Sequence, residues 1–95
     1  MSFRLTREAE DDVADIYRYS FENFGEAQAD SYHDGLEGCF RLLADSPRLG
    51  RDYAFLRPGL RRYEHESHSV YYRAEDAGIL VLRVLHQRMD PARHF

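Results

Sequence analysis

The second half of this sequence contains three strand-like runs separated only by tight turns, and this arrangement restricts the fold more than any other feature. The runs cover residues 60–65, 68–74 and 79–86. They are joined by a tight turn at Glu66-Ser67 and by residues 75–78, connections that suit antiparallel pairing. The last run is apolar on both faces except where Arg83 interrupts it, which predicts a central strand.

The first half predicts a brief strand at residues 3–5 and then two helices, near residues 7–24 and 26–45. Thr6 is placed to cap the first helix and Gly25 to end it. Ser46-Pro47 ends the second, because proline cannot continue a helix. The apolar side chains that recur at helical spacing are Ala9, Val13, Ile16, Tyr17, Ser20 and Phe24, then Ala29, Tyr32, Leu36, Cys39, Phe40 and Leu43.

These elements predict a single α+β domain spanning residues 1–95. A two-helix hairpin packs on one face of a mostly antiparallel four-stranded sheet in the order β-α-α-β-β-β, followed by a short C-terminal tail or helix. Residues 47–58 form an ordered loop in this prediction. Strand alternation assigns Leu80, Leu82, Val84 and His86 to the helix-covered face, and Ile79, Val81, Arg83 and Leu85 to the open face.

Length and composition indicate a cytoplasmic globular protein. Ninety-five residues support one core rather than two. The chain shows no secretory leader, and its longest apolar run, residues 79–82, is too short to cross a bilayer. Cys39 is the single cysteine and lies in an apolar helical stripe, which predicts a buried free thiol in a reducing compartment.

Charge is divided unevenly between the two halves. Residues 1–50 carry five Arg against eleven Asp and Glu, whereas residues 51–95 carry eight Arg against six acids. Every basic residue is arginine, and the net charge is −4. Nucleic-acid binders are usually basic, because phosphate contacts supply most of their affinity. The composition therefore weighs against general nucleic-acid binding while leaving a basic patch in the second half.

Chemical motifs are sparse, and neither a metal nor a cofactor is predicted. The stretch His65-Glu66-Ser67-His68 is one residue short of the zinc-protease spacing and lies on strands, so it indicates turn polarity. Arginine stays protonated and is a poor base. His86 is therefore the main candidate proton carrier on the last strand, with His94 a distant second.

Three short motifs, in order, resemble the RelE/ParE superfamily of bacterial type II toxins, and the ParE branch most closely. They are Pro58-Gly59-x-Arg61, His68-x-Val70-x-Tyr72-Arg73 and Arg83-Val84-Leu85-His86. The resemblance covers essentially the whole chain. It implies a growth-inhibiting toxin that binds and poisons DNA gyrase and is neutralised in a hetero-oligomer by a ParD-type antitoxin. Such an antitoxin is a ribbon-helix-helix DNA-binding protein with a disordered C-terminal tail. The other branch implies the alternative, a ribosome-dependent endoribonuclease that cuts messenger RNA.

The resemblance also suggests roles for particular residues. Target contacts are expected from the last strand and the tail, at Arg83, His86, Arg88, Arg93 and His94. Antitoxin contacts are expected at Arg57, Arg61 and Arg62. The tail has few apolar residues and is expected to be mobile.

In the nuclease alternative, His86 would move protons while Arg73 and Arg83 steady the phosphate. That chemistry needs a group that loses a proton near neutrality and fixed positive charge beside the phosphate. The sequence has no lysine, no tyrosine after Tyr72 and an acidic balance, which favours gyrase binding over the nuclease.

Overall fold

Two helices cover one face of a five-stranded sheet in the computed structural model, which describes residues 2–95. The elements are β1 (Ser2–Leu5), α1 (Arg7–Phe24), α2 (Glu26–Asp45), β2 (Arg51–Asp52), β3 (Arg61–His65), β4 (His68–Glu75), β5 (Gly78–His86) and a 3-10 helix (Pro91–Arg93). The strand order is β1-β5-β4-β3-β2, with β1 parallel to β5 and every other pair antiparallel. The predicted α+β class and the central position of β5 are confirmed. None of the helices formed by residues 2–95 is long and apolar enough to cross a membrane.

The predicted count of four strands is wrong, because the expected loop at residues 47–58 contains the short strand β2. Arg51 and Asp52 pair with Arg62 and Arg61 on β3. Two residues are too few to show an alternating pattern, so sequence periodicity has no signal there.

Both predicted ends of α1 are confirmed. Thr6 Oγ1 accepts a hydrogen bond from the amide of Ala9 at 3.1 Å and donates to the carbonyl of Leu82 at 2.7 Å. The N-cap therefore also fixes the start of α1 against β5. Gly25 adopts a φ of 92° and donates its amide to the carbonyl of Phe21, and α2 begins at the next residue.

The main core lies between the helices and the sheet. Its buried members are Ala9, Leu36, Cys39, Phe40, Leu43 and Ala44 from the helices, and Val70, Tyr72, Ile79, Val81 and Val84 from the sheet. Val13 and Ile16 pack against them. Most of the predicted helical stripes form this core, in which each fully buried Leu, Ile or Phe contributes about 1.5–3 kcal/mol of transfer free energy. Phe24, at the end of the first stripe, is exposed instead.

The predicted strand phase is wrong for the first half of β5, because a bulge separates its two halves. Tyr71 pairs with Arg83 and Tyr72 pairs with Val81, so Leu82 has no direct partner. One extra residue reverses the alternation. Ile79 and Val81 therefore face the helices, whereas Leu82 faces away from them.

Beyond the bulge the predicted phase is correct for Val84, Leu85 and His86. Val84 belongs to the main core and Leu85 to the opposite side of the sheet. His86 lies against His68, which bonds to α2, so it is on the helix-covered side. Arg83 pairs with Tyr71 of the opposite side, as its open-face assignment predicts, but its guanidinium reaches past the edge of β5 to Asp12 on α1.

A second apolar cluster covers the open face of the sheet. Its buried members are Leu60, Tyr71 and Leu85, and the side chains packed on them are Tyr53, Leu56, Leu82 and Phe95. The Phe95 ring lies 5.4 Å from the Tyr71 ring. Phe95 thus attaches the end of the tail to the sheet, a contact that the expectation of a mobile tail did not include.

Candidate functional site

Arg83 starts on the open side of the sheet, and its guanidinium is held by α1. Its guanidinium makes two hydrogen bonds to Asp12, with Nε–Oδ2 at 2.8 Å and Nη2–Oδ1 at 2.9 Å. Asp12 also accepts from the amide of Val84 at 3.0 Å. The pairing of β1 with β5 ends at Val81, so the edge of β5 beside Arg83 is not covered by a strand. The hydrogen bond with Asp12 raises the pKa of Arg83 above its usual value, so the guanidinium stays charged.

A surface cavity of about 190 Å³ brings together three predicted site residues that are far apart in the sequence. They are Arg57 from the loop, Arg83 from the bulge and His94 from the tail. The other residues of the wall are Thr6, Glu8, Leu82 and Phe95. Arg57 is exposed, with its guanidinium carbon 5.4 Å from the centre of the Phe95 ring.

The two other predicted antitoxin contacts, Arg61 and Arg62, are occupied inside the fold. Arg61 donates to the carbonyl of Gly50 at 2.7 Å. Arg62 lies over the rings of Tyr53 and Tyr71, and donates to the Tyr53 hydroxyl at 2.7 Å and to Ser69 Oγ at 3.2 Å. With only 18% of its side chain exposed, Arg62 offers little surface to a partner.

The tail presents the most accessible positive charge among the predicted target contacts. Arg88 and Arg93 are exposed, on either side of the turn that Asp90 caps by accepting from the Ala92 amide at 3.0 Å. His94 is half-buried beside Phe95. The tail is thus a short basic arch with fixed geometry.

His86 belongs to a group of four side chains that we call the histidine cluster: Tyr32, His65, His68 and His86. The Tyr32 hydroxyl lies 2.6 Å from His68 Nδ1, and the His68 and His86 rings are 5.5 Å apart. The Tyr32 and His65 rings are 5.7 Å apart. His86 Nδ1 accepts from the amide of Arg88 at 3.2 Å, so His86 also supports the start of the tail.

Sequence reasoning missed this cluster by interpreting His65 and His68 as turn polarity. A signal was present, because two residues that flank a two-residue turn pair directly across the hairpin. The partner Tyr32 lies on a helix far away in the sequence, and no spacing rule predicts that contact. Across residues 2–95 no group of three His, Cys, Asp or Glu is arranged to hold a metal ion.

The three residues of the nuclease alternative are separated. Arg73 is exposed opposite Leu80 on β5, near one end of the sheet. Arg83 turns toward α1, and His86 lies at the far end of β5 on the helix-covered side. No single phosphate position is framed by all three side chains in this arrangement.

Comparison with known proteins identifies relatives over nearly the whole chain. The family model for the ParE toxin of the type II toxin-antitoxin system, parDE, matches residues 3–91. Toxin ParE1 of Caulobacter vibrioides is 37% identical over 97% of this chain and 95% of its own length. Toxin ParE1 of Mycobacterium tuberculosis is 34% identical over the same shares, and Toxin ParE of Escherichia coli is 37% identical over 94% and 87%.

A solved structure shares the fold. It is described as a chromosomal ParDE TA system from P. aeruginosa, and it superposes with a TM-score of 0.76 at 24% sequence identity. The superposition covers 90% of this chain and 95% of the other. The arrangement of two helices on a mostly antiparallel sheet is therefore common to both molecules.

Proposed function

This chain belongs to the ParE toxin family of type II toxin-antitoxin systems, and from that membership we propose that it arrests growth by binding DNA gyrase and trapping it on cleaved DNA. In this proposal a ParD-type antitoxin neutralises the toxin in a hetero-oligomeric complex in the cytoplasm. The gyrase contact is made by the basic tail, while the sheet and helices act as a scaffold.

The observation that carries the proposal is the contrast between the tail and the rest of the predicted target contacts. Arg88 and Arg93 are exposed and hold no carboxylate partner within residues 2–95, so both are available to an acidic protein surface or to DNA phosphate. The charge of Arg83 is instead paired with Asp12. We therefore assign Arg83 to supporting the tail and Arg88 and Arg93 to contacting the target.

Binding is favoured over phosphodiester cleavage because the candidate catalytic residues do not converge. A general base must come within hydrogen-bond reach of the proton it removes, with positive charge at the same phosphate. Arg73 and His86 lie near opposite ends of the sheet, where the strand register pairs them with Leu80 and His68. The nuclease remains the alternative that the experiment below tests.

The proposal is tested with purified protein, gyrase and supercoiled DNA. We expect wild-type protein to produce linear, protein-linked DNA, and the double variant Arg88→Glu with Arg93→Glu to lose most of this activity. Arg41→Glu is the matched control, since Arg41 is an exposed arginine on α2, and it should stay active. Cleavage of ribosome-bound messenger RNA that disappears in His86→Ala would contradict the proposal and support the nuclease.

For the antitoxin, we propose that a disordered tail orders across the helical hairpin and then reaches the free edge of β3. The strand β2 pairs only with Arg61 and Arg62, so residues 63–65 have an unpaired edge beside a cavity of about 240 Å³. A tail that orders on binding covers a large surface in this way. Acidic residues of the tail would meet Arg57, which is the exposed member of the three predicted contacts.

The antitoxin contact is tested by measuring dissociation rates of charge-reversed toxins from the complex. We expect Arg57→Glu to raise the rate by about tenfold, because removing an attractive charge acts mainly on dissociation when the pair is desolvated. Arg7→Glu is the control, as an exposed arginine on α1 away from the loop. Equal rates for wild type and Arg57→Glu would contradict the assignment of Arg57.

A further inference from the structure

The histidine cluster joins three strands and one helix at one end of the sheet. His65 and His68 end β3 and begin β4, His86 ends β5, and Tyr32 projects from α2. The Tyr32 hydroxyl, 2.6 Å from His68 Nδ1, is the polar link between the helix and the hairpin. It also lies 3.4 Å from the carbonyl of His65. The turn between β3 and β4 is therefore held to α2 and β5 by side chains that titrate.

The cluster contains a buried ring nitrogen that no hydrogen bond satisfies. His65 Nε2 is buried without a hydrogen-bond partner, and although Glu66 Oε2 lies 3.3 Å away, the two atoms lack hydrogen-bond geometry. The His65 ring packs against α2 at Gly35, where an added Cβ would lie 3.3 Å from this nitrogen. The Glu66 carboxylate beside this nitrogen is exposed, so solvent screens the attraction between the two groups.

The groups facing His68 are mostly other imidazoles. Burial lowers the pKa of His68, and the nearby rings of His86 and then His65 lower it further. Glu66 on the turn is the one carboxylate that acts in the other direction and raises the pKa of His68, and its side chain is exposed. From α2 the cluster meets the Tyr32 phenol, whose pKa burial raises to about 12, so that it stays neutral. Cys39 lies on the same helix, and burial raises the pKa of its thiol to about 11.

We propose that the histidine cluster makes the attachment of the β3–β4 turn sensitive to protons, so that mild acid loosens this end of the sheet. At pH 7.5 the His68 ring is neutral and packs against its neighbours, because burial lowers its pKa. Below about pH 6.5 an opened turn exposes His68, which then binds a proton more readily than in the packed form, so the open form gains population. The end of β5 and the start of the tail are attached to the same β3–β4 turn, because the Gln87 amide donates to the Ser67 carbonyl at 2.9 Å.

The first test follows the His68 ring by NMR in the full chain. We expect a His68 pKa below 6.5, and a rise toward 6.5 in His86→Gln, because one neighbouring positive charge is removed. His33→Gln is the control, since His33 pairs with Glu37 on α2 outside the cluster. A His68 pKa at or above 6.5, or one that does not respond to His86→Gln, would overturn the proposal.

The second test measures local opening by amide hydrogen exchange at pH 7.5 and pH 5.5. We expect the protection factor of the Gln87 amide to fall at least threefold in acid relative to that of the Thr6 amide. The Thr6 amide bonds to the Val81 carbonyl in the middle of the sheet and reports opening away from the cluster. Equal changes at both amides would indicate global destabilisation instead and would overturn the proposal.

Discussion

Asp12 and Arg83 form a two-bond ion pair that connects the middle of α1 to the bulge of β5. Only 14% of the Asp12 side chain and 19% of the Arg83 side chain are exposed. Asp12 also satisfies the Val84 amide, which lies beyond the end of β1 and has no strand partner on that side. The Asp12 carboxylate thus neutralises the partly buried charge of Arg83 and accepts a backbone hydrogen bond at the uncovered edge of β5.

We expect Asp12→Ala to lower the free energy of unfolding by about 3 kcal/mol, because it leaves the Arg83 charge partly buried and unpaired. Urea denaturation measures the change. Asp11→Ala is the matched control, since Asp11 is an exposed neighbour on the same helix, and its effect should stay within about 0.5 kcal/mol. A loss below about 1 kcal/mol for Asp12→Ala would show that the pair behaves like a surface ion pair.

Gly50 is required by the close approach of Tyr72. A Cβ at Gly50 would lie within van der Waals overlap of the Tyr72 hydroxyl, which accepts from the Gly50 amide at 2.8 Å and donates to the Pro47 carbonyl at 2.8 Å. We expect Gly50→Ala to destabilise the fold by about 2–3 kcal/mol, through strain and loss of these bonds.

The control for this substitution is Gly38→Ala, measured by the same thermal and urea unfolding. Gly38 lies inside α2, and the space that a Cβ would occupy there is open, so alanine should stabilise the helix by about 0.5–1 kcal/mol. The unfolding free energy should fall for Gly50→Ala and rise for Gly38→Ala if the space around each Cβ decides the outcome. A fall for both variants would refute this explanation.

Arg62→Lys should behave as a disruptive change, although it keeps the charge. A lysine ammonium cannot lie flat over the Tyr53 and Tyr71 rings while it donates to both the Tyr53 hydroxyl and Ser69. We expect a loss of about 1–2 kcal/mol in unfolding free energy. Arg51→Lys, at an exposed position on β2, should change stability little, and equal effects at both positions would contradict this interpretation.

Cys39 should resist alkylation in the folded protein. Burial raises the pKa of its thiol to about 11, so at pH 8 about one molecule in a thousand carries the reactive thiolate. We expect iodoacetamide to label Cys39 slowly in buffer and rapidly in urea, as followed by mass spectrometry. Rapid labelling of the folded chain would place Cys39 outside the core.

The raised pKa of the Cys39 thiol also predicts a loss of folding stability at alkaline pH. The folded pKa lies above the unfolded value of 9.0, so the unfolded chain loses its proton first as the pH rises. The contribution of Cys39 is therefore complete below pH 9 and is lost as the pH rises toward 11. Cys39→Ala should weaken the pH dependence in that range, and an unchanged dependence would exclude the thiol as its cause.

Sequence patterns predicted the elements well where they are long and local. The cap at Thr6, the stop at Gly25 and the helical stripes depend on residues within a few positions of each other, and they are confirmed except for Phe24, which is exposed. The phase of β5 was predicted correctly only beyond the bulge, because strict alternation has no means of marking one unpaired residue at Leu82.

Site residues were harder to assign, since their roles depend on partners distant in sequence. Arg83 and Asp12 are separated by 71 positions, and no spacing rule connects them. Arg61 and Arg62 resemble free basic residues until Gly50, Tyr53 and Tyr71 are placed around them. The contacts assigned to gyrase and to the antitoxin stay predictions until the complexes are measured.

Ordinary strand alternation places the adjacent residues Tyr71 and Tyr72 in different apolar clusters, Tyr72 under the helices and Tyr71 under the loop and tail. The two sides of the sheet therefore pack against different segments of the chain, and polar contacts such as that of Tyr72 with Gly50 and Pro47 tie the segments together. Substitutions in the helical hairpin and in the loop or tail should add independently in stability except where they touch such a contact.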